Sequence, residues 1–285
     1  MNWEAKDTFF CTNKTLNCNG RLVDLSTPIV MGIVNVTPDS FYDGGDLNSE
    51  GDLLKKVEKH INEGASIIDI GGYSSRPGAD NVEETEEFDR VIPAIRSILK
   101  QFPDVIISLD TFRSKIAQEG INEGVVIIND ISGGKLDDKM YEVVSNNSTP
   151  YIIMHMPGTP QTMQGNISYN DVTTGIAKYF SGIIEKLKGY NINDVILDPG
   201  FGFGKTLEHN YELLKNLPHF KMFRLPILVG ISRKSMICKA LNVDPENALN
   251  GTTAAHTIAL MNGANILRVH DVKEAVEAIK IVNQL

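Results

Sequence analysis

Residues 266–271 read Ile266-Leu267-Arg268-Val269-His270-Asp271, an apolar run that ends in charged side chains. In an extended strand Arg268 and His270 point to the same face, because successive side chains alternate between faces. Two such donors can hold an anion, and a diphosphate suits the planar fork of an arginine. The alternative interpretation is that Arg268 pairs with a surface carboxylate and that His270 is solvated.

The same pattern recurs along the chain as a short β-branched run, a polar or glycine-rich loop and an amphipathic helix. The first helical stripe runs from Leu53 to Ile61 and is stopped by Gly64. A second stripe contains Pro93, which we expect to kink the helix or to move its start. The strand-like runs are almost continuously apolar, as expected for a parallel sheet covered on both faces. The predicted strands are residues 29–36, 67–71, 105–110, 126–130, 151–155, 195–198, 227–232 and 266–270.

Eight strands alternating with helices over about 260 residues predict an α/β fold of the (β/α)8 TIM barrel type. A doubly wound open sheet is the alternative. Before the barrel, residues 8–25 alternate loosely around Asn19-Gly20, which predicts a short N-terminal β-hairpin. We therefore expect a single domain over residues 1–285, with an extension at 1–27 and the barrel at 28–285. In such a barrel the chemistry lies at the carboxyl ends of the strands.

The composition narrows the classes of partner. The chain has 285 residues and a formal net charge of -9, so it lacks the field that attracts nucleic acid or anionic membranes. Cys11, Cys18 and Cys238 have no metal-type spacing and are odd in number, which indicates reduced thiols. No stretch resembles a signal peptide or could cross a bilayer, and we expect a cytoplasmic protein.

Polar residues follow the first two predicted strands. Asn35 ends the first, and its amide oxygen suits Mg²⁺, since an ion held mainly by substrate phosphates needs only one or two protein ligands. The second strand leads into a glycine-rich loop in which Arg76 sits on a constrained turn. An ordinary loop with a solvated Arg76 is the alternative.

Further along the chain, Asp110, Asn129 and Asp198 end three more strands. A carboxylate can accept two parallel hydrogen bonds, so the three side chains together favour recognition of a flat heterocycle rich in N–H groups. Structural partners for each of them are the alternative. Lys234, after the seventh strand, is placed to contact both a ring and an anion. The alternative is a solvated residue at the start of a helix. His155 has apolar neighbours in the sequence, and we interpret it as a structural residue.

Several known motifs are excluded. Residues 200–206 read Gly200-Phe201-Gly202-Phe203-Gly204-Lys205-Thr206, which lacks the glycine that a Walker A loop needs at Pro199 and also the spacing of a dinucleotide fingerprint. The chain has no zinc-type ligand spacing and no G-x-S-x-G elbow. What remains is a loop that can bring an aromatic side chain near a flat ligand.

The ordered set of strand ends resembles the dihydropteroate synthase family of folate biosynthesis. The motifs run in the family's order from the first strand to the last and so cover nearly the whole chain. They are residues 35–41, 69–72 with 75–78, 108–111, 128–130, 197–200, 232–235 and 268–271.

The resemblance implies a transferase, a (β/α)8 barrel and usually a homodimer. It implies condensation of 6-hydroxymethyl-7,8-dihydropterin diphosphate with 4-aminobenzoate to give 7,8-dihydropteroate and diphosphate. It also implies Mg²⁺ as cofactor and sulfonamides as competitive inhibitors. The alternatives are a methyltetrahydrofolate-corrinoid methyltransferase and a non-catalytic pterin-binding protein.

The resemblance also assigns residues to ligands. The pterin-binding set is Asp110, Asn129, Met154, Asp198, Gly230 and Lys234. The diphosphate-binding set is Asn35, Arg268 and His270, with Asn35 as the metal ligand. The aminobenzoate-binding set is Phe41, Ser75, Arg76, Pro77, Phe203 and Ser235. The catalytic set is Asp43, Arg76, Asp110, Lys234 and Arg268.

Two positions depart from the family's usual Glu-Ser-Thr-Arg-Pro in the second loop. Ser75 replaces the threonine and keeps its hydroxyl, so function should be preserved while the reception of aminobenzoate or a sulfonamide could change. Tyr73 replaces the acidic residue and removes a charge near the loop.

Overall fold

The computed structural model describes residues 14–36, 50–73, 82–165 and 167–285. Two antiparallel strands come first, β1 (Thr15–Cys18) and β2 (Arg21–Asp24). Cys18 pairs with Arg21, which leaves a turn of only Asn19 and Gly20, both at positive φ. Such turns match the twist of the flanking strands, and the predicted hairpin is confirmed.

Eight parallel strands form the barrel. The strands are β3 (Ile29–Asn35), β4 (Ile67–Gly71), β5 (Ile107–Asp110), β6 (Ile127–Asp130), β7 (Tyr151–Met154), β8 (Val195–Asp198), β9 (Leu228–Val229) and β10 (Ile266–Val269). They pair in the order β8-β7-β6-β5-β4-β3-β10-β9, and a parallel bridge between Leu197 and Ile227 joins β8 to the start of β9. This ring confirms the (β/α)8 prediction over the open sheet.

Helices cover the outside of the ring. Their buried apolar stripes pack on the outward faces of the strands in one large core. The second helix runs through Pro93, which therefore does not mark its start. The helices are α1 (Glu50–Asn62), α2 (Glu84–Gln101), α3 (Ser114–Asn122), α4 (Met140–Asn147), α5 (Val172–Gly189), α6 (Leu207–Lys215), α7 (Ser235–Leu241), α8 (Leu249–Met261) and α9 (Val272–Val282).

A second, smaller core fills the amino-terminal end of the barrel. The hairpin contributes Leu16, Cys18 and Val23 to it, seven barrel strands contribute one buried apolar side chain each, and Ile106, just before β5, contributes the eighth. Cys18 and Cys238 are free thiols. Within the described ranges, no helix is both long and apolar enough to cross a membrane.

Candidate active site

The inner wall of the barrel changes from apolar to polar within two residues along most strands. The eight apolar side chains of the lower layer are Met31, Ile67, Ile106, Ile127, Ile152, Ile196, Leu228 and Ile266. Because side chains alternate, the residue two positions later lies on the same inner face. Those later residues include Asp69, Asn129, Met154, Asp198, Gly230 and Arg268.

Asn35, Gly71 and Asp110 lie one layer further toward the carboxyl ends, and they pair in a row with Asn129 across β3 to β6. Asn35 pairs with Gly71, Gly71 with Asp110, and Asp110 with Asn129. A Cβ atom on Gly71 would lie 3.7 Å from Oδ2 of Asp110 and 3.8 Å from Oδ1 of Asn35. The glycine thus leaves a gap between two polar groups that were both predicted to bind substrate.

Arg268 reaches across the barrel to two carboxylates. Its Nε donates to Oδ2 of Asp69 over 2.6 Å, and its Nη2 donates to Oδ2 of Asp110 over 2.6 Å. Burial lowers the pKa of Arg268, but the charges of Asp69 and Asp110 outweigh it and raise that pKa above its ordinary value. Arg268 is therefore a permanent cation inside the mouth of the barrel, which is its interior at the carboxyl ends of the strands. It is not paired with a carboxylate at the surface.

Asp110 and Asp198 are carboxylates in a desolvated setting. Burial raises the pKa of Asp110 to about 7, against the lowering effect of Arg268. Burial likewise raises the pKa of Asp198, which Lys234 opposes, and Oδ1 of Asp198 accepts a hydrogen bond of 2.8 Å from the Gly200 N–H. Both groups gain by accepting further donors from a ligand.

Lys234 faces the interior and is not a solvated residue at a helix start. Its Nζ donates to the carbonyl oxygen of Phe201 and lies 4.6 Å from the centre of the Phe203 ring. Desolvation lowers the pKa of Lys234 to about 8, and the charge of Asp198 opposes that shift. Gly230 lies beside it, since a Cβ there would stand 3.9 Å from Nζ of Lys234 and 3.9 Å from Cβ of Arg268.

An apolar wall borders these charges. Met154, Met156 and Met163 form a buried cluster with Ile131, and the side chains of Phe112 and Phe203 pack against it. Methionine adapts its shape and interacts well with aromatic faces, so the wall suits a flat ring.

His270 lies at the exposed rim, two residues beyond Arg268. Its Nδ1 lies 3.1 Å from Oγ of Ser232, and desolvation followed by the nearby Arg268 charge lowers its pKa. Ser235, the first residue of α7, is exposed at a cavity of about 240 Å³ that Gln164, Lys205, Thr206 and Lys239 also line.

The other predicted site residues are not among those described. Phe41, Asp43, Ser75, Arg76 and Pro77 all lie outside the described ranges. Within those ranges, no group of three or more His, Cys, Asp or Glu side chains is arranged to hold a metal ion. Asn35 fits an ion that is held mainly by phosphates, which needs few protein ligands.

Two buried residues of this mouth have no role predicted from the sequence. Asp69 stands in the apolar run of β4, and a charged residue there is a signal in itself, because a buried carboxylate must be paired. Lys205 follows three glycines at positive φ and is only 5% exposed. Its Nζ donates to the carbonyl oxygens of Gly200 and Phe203 and approaches Nδ1 of His155.

His155 fits its structural interpretation. Desolvation, followed by the nearby lysines, lowers its pKa to about 2, and its ring packs edge-on against Tyr179. It is therefore a neutral group that supports the mouth.

A closed (β/α)8 barrel with these buried carboxylates, a cationic Arg268 and a methionine wall defines an enzyme for a flat heterocycle that carries an anionic group. The sequence profile of the family described as pterin binding enzyme matches residues 31–270. The dihydropteroate synthase of Escherichia coli K12 is 48% identical over 269 residues, covering 94% of this chain and 95% of the relative.

Solved structures agree with this assignment. Dihydropteroate synthase of Yersinia pestis, in complex with a sulfonamide drug, superposes with a TM-score of 0.90 at 45% identity and covers 95% of this chain and 98% of its own. The Xanthomonas albilineans enzyme, with 4-aminobenzoic acid, gives 0.88 at 36% identity and covers 95% of this chain and 97% of its own. The chain belongs to the dihydropteroate synthase family of pterin-binding enzymes.

Proposed function

We propose that this chain condenses 6-hydroxymethyl-7,8-dihydropterin diphosphate with 4-aminobenzoate, the dihydropteroate synthase reaction of folate biosynthesis. As a family member it is a transferase. The observation that carries the proposal is the convergence of Asp110, Asn129 and Asp198 with Arg268 inside the barrel, at the carboxyl ends of its strands. This arrangement combines acceptors for a ring with a cation for its diphosphate.

The pterin ring is read by hydrogen bonds in a desolvated slot. Asp110 and Asp198 accept from its ring N–H and amino groups, while Asn129 and Lys234 meet its remaining polar atoms. Each charge-assisted hydrogen bond contributes about 1.5–3 kcal/mol when both partners are buried. Met154 lines the slot with an adaptable apolar side chain. Gly230 also lines it and, having no side chain, leaves a gap there.

The diphosphate lies toward Arg268 and His270. Asn35, across Gly71 from Asp110, supplies a neutral oxygen on the same side. Asn35 would hold a Mg²⁺ ion together with the substrate, and the ion would supply positive charge to the leaving group. The protein as a whole is acidic, so this positive site is local.

In the reaction the bond between the pterin methylene carbon and the diphosphate oxygen breaks, and both electrons leave with the diphosphate. The guanidinium of Arg268 stabilises the charge that develops there. The buried carboxylates stabilise the cation left on the methylene. The amine nitrogen of aminobenzoate then forms the new C–N bond and loses one proton, which needs no strong base because an aryl ammonium is acidic.

Aminobenzoate enters beside Phe203 and Ser235. The ring of Phe203 packs against the methionine wall and under Lys234, which supports a position next to the pterin slot. Phe41, Asp43, Ser75, Arg76 and Pro77 complete this site in our proposal. A sulfonamide resembles aminobenzoate and competes for the same position.

We further propose a homodimer in the cytoplasm. Helix α8 carries Ala254, Ile258 and Met261 at helical spacing on its exposed face, and its Ile258 and Met261 are 47% and 62% exposed. An apolar stripe of this kind supports helix packing between two copies. The free thiols of Cys18 and Cys238 support a reducing compartment.

The test is to incubate the purified chain with the pterin diphosphate, aminobenzoate and Mg²⁺. We expect dihydropteroate and diphosphate in equal amounts, measured by chromatography and by a coupled diphosphate assay. The mixture lacking aminobenzoate and the exposed-site variant Asp89→Asn are the controls. Absence of both products from folded wild-type protein would refute the proposed activity.

A further inference from the structure

Asp69 is the most enclosed carboxylate of the mouth, with no exposed surface. It lies on the inner face of β4, two residues after Ile67 and two before Gly71. Neither neighbour along that face carries charge, so Asp69 depends on partners from other strands.

Two predicted substrate-binding residues supply those partners. Oδ2 of Asp69 accepts from Nε of Arg268 over 2.6 Å, and Nη2 of Arg268 lies equally close. Nδ2 of Asn129 lies 3.2 Å from the same oxygen. Arg268 and Asn129 come from β10 and β6, on opposite sides of β4 in the ring. One carboxylate therefore connects the residue proposed for the diphosphate with a residue proposed for the ring.

The contacts fix the orientation of both partners. A carboxylate only accepts hydrogen bonds, so the amide of Asn129 must turn its NH₂ group toward Asp69 and its oxygen away. For the same reason the Nε edge of Arg268 is held inward. Within the described part of the chain, Nη1 of Arg268 donates to no protein atom, which leaves a pair of N–H groups for an anion.

We propose that Asp69 is a positioning residue that holds Arg268 for the diphosphate and Asn129 for the pterin ring. This inference rests on the proposed function. Asp69 touches neither substrate. It presents an arginine fork and an amide oxygen in fixed directions, so that neither must be ordered when substrate binds.

The variant Asp69→Asn tests this with little change in volume. Its amide oxygen can still accept from both partners, but the amide lacks the negative charge that holds Arg268, and it presents an NH₂ donor in place of the second carboxylate oxygen. The quantity to measure is the ratio of the dissociation constant of 6-hydroxymethylpterin to that of its diphosphate with Mg²⁺, which reports the diphosphate contribution alone. We expect Asp69→Asn to lower this ratio by about tenfold or more, since charge-assisted contacts are at stake. The Asp89→Asn variant on α2 should leave it unchanged.

A double-mutant cycle separates positioning from a general effect on the fold. If Asp69 acts through Arg268, Asp69→Asn adds no further loss of the ratio in an Arg268→Ala background. Circular dichroism and thermal melting monitor folding in each case. A folded Asp69→Asn protein that keeps the wild-type ratio, while Arg268→Ala loses it, overturns the inference. If Arg268→Ala also keeps the ratio, it is the proposed diphosphate site that fails.

A second measurement uses the wild-type protein, should Asp69→Asn not fold. In protein labelled with ¹⁵N-arginine, the Nε–H signal of Arg268 is assigned by its loss in Arg268→Lys. We expect the chemical shift of that signal to stay unchanged when inorganic diphosphate and Mg²⁺ are added, because the Nε–H of Arg268 remains hydrogen-bonded to Asp69. Movement of the signal to that of a solvated arginine would overturn the proposal.

Discussion

Nζ of Lys205 lies 3.1 Å from Nδ1 of His155 and 2.7 Å from the carbonyl oxygen of Gly200. The amine thereby ties the loop after β8 to the end of β7. Among the described carboxylates none forms an ion pair with Lys205, and burial lowers its pKa to about 7, against the charge of Asp198. The cation is held by oxygen dipoles and costs free energy to bury.

This cost predicts how stability depends on pH. An unfolded lysine keeps its proton up to about pH 10.4, whereas folded Lys205 loses it near pH 7, so the unfolded state binds more protons between these values. The free energy of unfolding therefore rises with pH in this window through Lys205, by at most about 1.4 kcal/mol per unit. Urea denaturation at pH 7, 8 and 9 should show wild type gaining stability relative to Lys205→Met. Lys55→Met, at an exposed site, should follow wild type, and parallel curves for Lys205→Met would contradict the assignment.

The same loop predicts a strict requirement at Gly200. Its φ is +71°, and a Cβ there would lie 2.1 Å from the carbonyl oxygen of His155. Gly200→Ala should lower the free energy of unfolding by about 2 kcal/mol or more, because strain and a backbone clash combine. Gly182→Ala is the matched control, since its Cβ meets nothing within 4 Å in α5, and it should stabilise by about 0.5–1 kcal/mol. Equal stability changes in the two variants would count against the strained loop.

The strands were predictable because each is an apolar run bounded by polar residues, and seven of the eight predicted strands carry a predicted substrate contact near their end. It could not predict α8 from periodicity, since that helix is apolar on its outer face as well, at Ile258 and Met261. The role of Asp69 was equally impossible to predict from the sequence. Its partner Arg268 is 199 residues away, and only ring closure brings them together.

We expect pterin binding to require the Asp110 carboxylate as a hydrogen-bond acceptor. Asp110→Asn places an amide donor where Arg268 and the ring both donate, so we expect affinity for 6-hydroxymethylpterin to fall about ten- to hundredfold. Isothermal titration calorimetry measures this against Asp89→Asn on the exposed face of α2. Wild-type affinity in folded Asp110→Asn would remove Asp110 from the pterin site.

Removal of divalent ions should slow turnover without unfolding the protein. The proposed ion is held by Asn35 and the substrate, so a chelator should leave thermal melting of the free protein unchanged. We expect at least about a tenfold loss of rate in a chelator and recovery with Mg²⁺, measured by diphosphate release. Asn35→Ala should require more Mg²⁺ for half-maximal rate. Full activity in the chelator would exclude the metal role.

The outer stripe of α8 predicts a dimer that a single charge can disrupt. Leu241 of α7 covers Gly251, and the exposed stripe runs from Ala254 through Ile258 to Met261, where a partner helix can lie. A carboxylate at Ile258 would be desolvated without a counter-ion in such an interface. We therefore expect wild type to sediment as a dimer and Ile258→Asp as a folded monomer. Leu22→Asp, at a more exposed apolar position on the hairpin, is the control and should stay dimeric, and a monomeric wild type at micromolar concentration would refute the interface.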